Sequence, residues 1–229
     1  MQNLDLQLLE FFNQWNTDDG AMGIFLRMGH IDFVKTVPFL LIFWALWFFP
    51  DTREERRIIR ERLVAVLLCT IPIMALTRIA ANNLPFRLRP LHDPNIEIVL
   101  AENQDTAVLS NWSSMPSDHA SLFFGFSAAM FLIHPWFGLF ALGWSMFVVS
   151  LPRIVLGYHW PSDILIGSLF GIIMAFVLLR PLSAFVRSIK LVPFFEAREA
   201  IGYPLLFLAT YEVARLFFFS RYVILGVTE

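Results

Sequence analysis

The chain has 229 residues, the size of one domain, and its 57% hydrophobic and 16% charged residues with a mean hydropathy of +0.63 exclude an ordinary soluble composition. A formal charge of −2 excludes the strongly basic surface that nucleic acid would need, and the single cysteine, Cys69, excludes a disulfide framework.

The N-terminus, Met1-Gln2-Asn3-Leu4-Asp5, lacks the basic region of a cleaved signal peptide, so membrane insertion is expected to rest on internal apolar segments. Residues 5–16 set Leu6, Leu8, Leu9, Phe11, Phe12 and Trp15 among polar residues, a spacing that predicts a short amphipathic helix lying at the interface. Asn16-Thr17-Asp18-Asp19-Gly20 ends it. Six candidate spans follow, at about 30–50, 63–82, 119–134, 136–153, 163–180 and 201–220. The first begins with Asp32 and Lys35, and the last carries Glu212 and Arg215. The fold class expected is therefore all-α: a polytopic membrane bundle of about six helices with an N-terminal interfacial helix.

Loop charge gives an orientation. Arg53, Arg56, Arg57, Arg60 and Arg62 follow the first span, and Arg180, Arg187, Lys190 and Arg198 follow the fifth. The positive-inside rule assigns that side to the cytoplasm. The end of span two, the loop 83–118 and the turn 154–162 then lie on the opposite side. Arg78, Arg87, Arg89 and Arg153 break the rule by clustering there with two histidines, and ionisable groups at membrane depth point to a functional site.

Three segments on that side carry chemistry. Asn82-Asn83-Leu84-Pro85-Phe86-Arg87-Leu88-Arg89-Pro90 presents two arginines, whose planar forks match phosphate oxygens. Met115-Pro116-Ser117-Asp118-His119 leads into span three with Ser117 as a helix cap, so free N–H groups at the helix start favour an anion beside His119. In the third segment, Asp163 opens span five four residues after His159, within reach of the imidazole. A carboxylate there fixes the tautomer and leaves Nε2 free to attack, or caps the helix, and both roles are compatible. The loop 91–118, with Asp93, Glu97, Glu102, Asp105 and Trp112, is expected to wall the site.

Together these segments resemble the type 2 phosphatidic acid phosphatase superfamily, with its K-x6-R-P, P-S-G-H and S-R-x5-H-x3-D blocks. The second block reads Pro116-Ser117-Asp118-His119 and the third Arg153, five residues, His159, three residues, Asp163. The resemblance covers about residues 60–180. It implies that His159 attacks phosphorus, Asp163 orients it and His119 protonates the leaving oxygen. Arg89, Arg153, Ser117 and the Asp118 backbone N–H would hold the phosphoryl oxygens. Three positions depart from the pattern. Asn82 stands where the lysine is expected, with Arg87 or Arg78 as the compensating cation, Arg87 the favoured one. Asp118 replaces glycine, and Pro152 replaces the serine before Arg153.

The implied activity is hydrolysis of lipid phosphate monoesters or pyrophosphates through a phospho-histidine, with no metal and no cofactor, on the extracytoplasmic side of a bacterial inner membrane. A lipid phosphotransferase using the same intermediate, or a non-catalytic phospholipid-binding protein, are the alternatives. The chain divides into an interfacial segment (1–29), a phosphatase core (30–182) and a C-terminal interfacial segment with an added span (183–229). The partners expected are a lipid phosphate and the bilayer, with no nucleic acid; the sequence does not fix an oligomeric state.

Overall fold

A computed structural model describes residues 2–102, 104, 106–107, 110–217 and 220, and the described residues are helical throughout their regular structure. Asp105 of the predicted wall lies outside them. In chain order the helices are α1 (Gln2–Asn13), α2 (Gly20–His30), α3 (Asp32–Phe48), α4 (Arg53–Asn83), α5 (Asp118–Phe131), α6 (Pro135–Trp144), α7 (Leu151–Val155), α8 (Pro161–Ser188), α9 (Leu191–Ala197) and α10 (Glu199–Ala214). A π-helical stretch, Ser145–Ser150, joins α6 to α7.

Three helical runs are long and apolar enough to cross a membrane: α4, the continuous Pro135–Val155 run and α8. The pair α2–α3, bent by 65°, makes a fourth where the two are counted as one broken span. The other two predicted spans are shorter, α5 at 14 residues and α10 at 16 residues, so the structure is compatible with six spans without confirming that count. At about 1.5 Å per residue, α5 reaches only about 21 Å. It can be short because it is central: Ala120, Leu122, Phe123, Phe126, Ala128, Ala129 and Met130 are all buried, against α4, α6 and above all α8.

The α5–α8 contact is backbone-close. A Cβ on Gly167 would lie 2.7 Å from the Ser117 carbonyl oxygen, and one on Gly171 would overlap the Ser121 carbonyl. Small residues on both faces replace bulk with close approach, as membrane helices commonly do. This contact brings the start of α5 beside the start of α8, where the Ser117 N–H donates to the Asp163 carbonyl at 3.3 Å.

The N-terminal helix shows two faces. Leu4, Leu8, Phe11 and Trp15 are exposed, the surface expected of a helix resting on a bilayer. The other face, Asp5, Leu9, Asn13 and Asn16, is buried against the bundle. Asn13 Nδ2 donates to the Val155 carbonyl at 2.8 Å, and Asn13 Oδ1 accepts from the Val99 N–H at 2.7 Å. Helix α1 therefore holds two of the connecting loops in place.

Candidate active site

The predicted segments meet at one end of the bundle. After α7 the chain turns at Gly157, whose φ of +70° suits a residue without a Cβ, and the Tyr158 and His159 N–H groups both return to the Arg153 carbonyl. That turn delivers His159 into the bundle, only 5% exposed. Pro161 then occupies the first position of α8, where a missing N–H costs nothing.

Helix α8 is capped by its own aspartate. Asp163 Oδ2 accepts from the Trp160 backbone N–H at 2.8 Å and lies 3.6 Å from His159 Nδ1. Nδ1 has a nearer partner, the Ser114 carbonyl at 2.9 Å. A carbonyl only accepts, so Nδ1 carries the proton and Nε2 keeps its lone pair. That nitrogen faces Arg89, whose Nη1 lies 3.1 Å away. Burial pushes the imidazole down to about 4, with Asp163 pulling it up and the Arg89 charge pushing it further down. At neutral pH the ring is uncharged.

Arg89 is held by the Tyr158 carbonyl at 2.7 Å. It is 5% exposed, and its buried Nε has no hydrogen-bond partner among the described residues. Burial lowers its pKa to about 10, which leaves it charged at neutral pH. A buried, charged guanidinium with an unused donor is suited to an anion. Arg153 donates to the Val149 carbonyl at 2.7 Å and acts electrostatically on both His119 and His159.

The start of α5 completes the arrangement. Ser117 caps the helix, its hydroxyl facing the Ala120 N–H at 3.5 Å. His119, half-buried in the first turn, has its ring 6.3 Å from that of Phe123. The Asp118 carboxylate forms an ion pair with Arg78, whose guanidinium lies 4.2 Å above the Trp112 ring. The charge that replaces the family's glycine is thus turned onto an arginine.

Arg87 is placed otherwise than its predicted phosphate contact would ask. Its Nη1 donates to Asp163 Oδ1 at 2.6 Å and to Ser162 Oγ at 2.7 Å, and its Nη2 to Asp5 Oδ2 at 2.8 Å. With both terminal nitrogens committed to carboxylates, it supports Asp163. Asn82 is exposed on the last turn of α4 and has no part in these contacts.

Asp5 was not among the residues expected here. It is 5% exposed, and besides Arg87 it accepts from the Ser162 N–H at 2.9 Å and the Ser162 hydroxyl at 2.6 Å. The signal was present in the sequence: Asp5, Asn13 and Asn16 fall on the same stripe as Leu9, which marks a helix face meant for protein rather than lipid. Ser114 acts through its carbonyl, which no side-chain pattern announces.

Residues 86–187 match the PAP2 superfamily. The matched segment, a little under half of the chain, is similar to the PAP2 superfamily. The matched PAP2 core runs from the segment before Arg87 to the end of α8 and holds every candidate residue except Asn82. Among similar proteins, the lipid A 1-diphosphate synthase of Escherichia coli (strain K12) is 27% identical over 208 residues, 84% of this chain and 81% of that protein. The bacitracin transport permease protein BcrC of Bacillus licheniformis is 27% identical over 137 residues, 60% of this chain and 62% of that protein. YbjG of Escherichia coli (strain K12), provisionally named an undecaprenyl-diphosphatase, is 26% identical over 181 residues, 76% of this chain and 80% of that protein. No solved structure matches this chain.

Proposed function

We propose that this protein is a membrane phosphatase that cleaves lipid phosphates, with lipid diphosphates as the favoured class, on the extracytoplasmic side of a bacterial inner membrane. The observation that carries the reading is the setting of His159: Nδ1 against the Ser114 carbonyl at 2.9 Å and Nε2 at 3.1 Å from Arg89. A neutral imidazole oriented from behind, with a buried guanidinium in front, is arranged to attack an anion that the guanidinium holds.

In the first step the Nε2 lone pair attacks phosphorus and the bond from phosphorus to the leaving oxygen breaks. The electron pair goes to that oxygen, which takes a proton from His119. In the second step water attacks the phospho-histidine, His119 accepts its proton, and the P–N bond breaks to free phosphate and His159. Arg89, Arg153, the Ser117 hydroxyl and the Asp118 backbone N–H would hold the three equatorial oxygens, the part of phosphoryl transfer that positioning and charge can accelerate. Those groups supply the positive charge, so the scheme requires no metal. Names of the relatives favour diphosphates, since one is called a diphosphatase and another makes a lipid diphosphate.

The synthase supports a second reading, transfer of the phosphoryl group from His159 to an acceptor lipid in place of water. Phosphate release by detergent-purified protein, with EDTA present and no acceptor lipid, beside His159→Ala, separates the cases. Release by wild type that His159→Ala lowers by about 10³-fold or more supports the hydrolase. Phosphate that leaves the donor only when an acceptor lipid is added supports transfer. No turnover under either condition removes both readings.

A further inference from the structure

Lys35 is a buried lysine at the start of α3. It lies in the first turn of α3, 5% exposed, with Nζ 2.8 Å from Asp32. Asp32 is 51% exposed at its side chain and also lies 3.8 Å from Arg215 Nε, beyond the end of α10.

Two ring contacts place Lys35 relative to the site. One helical turn along α3, Phe39 packs against Phe123 of α5 with centroids 4.8 Å apart. One turn back along α5 from Phe123 stands His119. Both helices start at the site end, for α3 finishes far from it with the Trp47 carbonyl against Arg60. The two helices therefore run side by side in the same direction, and Lys35 stands level with His119 as Phe39 does with Phe123. In keeping with this, Lys35 acts on His119 electrostatically. Immediately beneath, Phe39, Phe43, Phe123, Phe126, Val213 and Ala214 line an apolar slot between α3, α5 and α10.

We propose that Lys35 binds the phosphate that departs with the lipid when a diphosphate is cleaved. This rests on the hydrolase reading above. When His159 attacks the terminal phosphorus, the bond to the bridging oxygen breaks and its electron pair stays on a lipid monophosphate. His119 protonates one oxygen of that group, and an ammonium at the same level stabilises the charge on the others. Lys35 exchanges Asp32 for the phosphate, and Asp32, exposed and near Arg215, keeps a cation for itself. A monoester releases an alcohol, which carries no such charge once protonated. Lys35 thus takes over, from a different helix, the charge that Asn82 cannot supply, and it confers selectivity for diphosphates.

The test compares kcat/KM for a prenyl diphosphate and the matching prenyl monophosphate in detergent, for wild type, Lys35→Met and Lys35→Arg. Lys35→Met is expected to lower the diphosphate value by about 10- to 100-fold and the monophosphate value by only about threefold, the size of one lost charge-assisted contact. Lys35→Arg is expected to restore most of the ratio. Parallel loss on both substrates, or no loss on either, overturns the assignment while wild-type phosphate release keeps the hydrolase reading standing. No release by wild type from either lipid overturns both.

Discussion

Arg89 at the site end and the buried charges at the opposite end of the helix bundle are held in different ways. At the end away from the site, Glu61 is 1% exposed and accepts from Arg57 at 3.1 Å and Arg187 at 2.8 Å, while Arg60 meets Glu196 at 2.6 Å. Each of these buried charges has an opposite charge from the protein itself. At the site end Arg89 is aimed by a carbonyl and a neutral imidazole, with its Nε unused. A carbonyl orients a guanidinium without cancelling its charge. Arg87, Asp5 and Asp163 pair among themselves as the residues of the far end do; on the proposed reading Arg89 alone is left for an anionic ligand. Identical residue types thus serve cohesion in one place and binding in the other, and their partners tell which.

This contrast can be broken at several points. Arg89→Gln, which keeps hydrogen-bonding capacity and removes charge, is expected to lower kcat/KM by about 10²- to 10³-fold, as loss of a preorganised anion-holding group does. A loss under about threefold would mean that Arg89 serves structure alone, like Arg60. Asp5→Asn is expected to act through Arg87 on the orientation of Asp163 and His159, lowering kcat by about tenfold with KM little changed. A KM effect of that size with unchanged kcat would place Asp5 in substrate binding instead.

The pH profile sharpens the same contrast. In the proposed mechanism His159 attacks as the neutral ring, and burial beside Arg89 lowers its pKa to about 4. The acid limb of kcat/KM assigned to the enzyme is therefore expected near pH 4, distinct from a substrate phosphate ionisation near pH 6. If Arg89→Gln removes the repelling charge, that limb shifts upward; a limb that stays put would argue that Arg89 does not face Nε2. The smallest effect on activity belongs to the opposite end. Glu61→Gln removes the carboxylate from two half-exposed arginines, so thermal stability in detergent is expected to fall, by about 1 kcal/mol, while kcat per folded molecule stays within about twofold. A tenfold fall in kcat would join the two ends functionally.

Much of this was legible in the sequence because it is local. Ser117 before an apolar helix, Asp163 four residues after His159, and the arginines out of place on one side all mark helix ends, and helix ends are where spacing determines geometry. What spacing cannot give is which distant segment fills a gap. Arg87 stands two residues from Arg89 and yet faces away from its predicted target, because Asp5, 82 residues earlier, and Asp163 compete for it. The span lengths diverged for a similar reason: α5 is sheltered by its neighbours, so its length answers to packing rather than to bilayer thickness.

The crossing of α5 and α8 through Gly167 and Gly171 has a consequence for tolerance. Where helices meet through long side chains, a rotamer change absorbs a small displacement. Here main chain rests on main chain, and nothing between them can give. The spacing between the turn that carries His119 and the turn that carries Asp163 is thereby set by backbone contact, like a gauge block between two jaws, and a side chain larger than glycine at Gly167 or Gly171 would push the two turns apart.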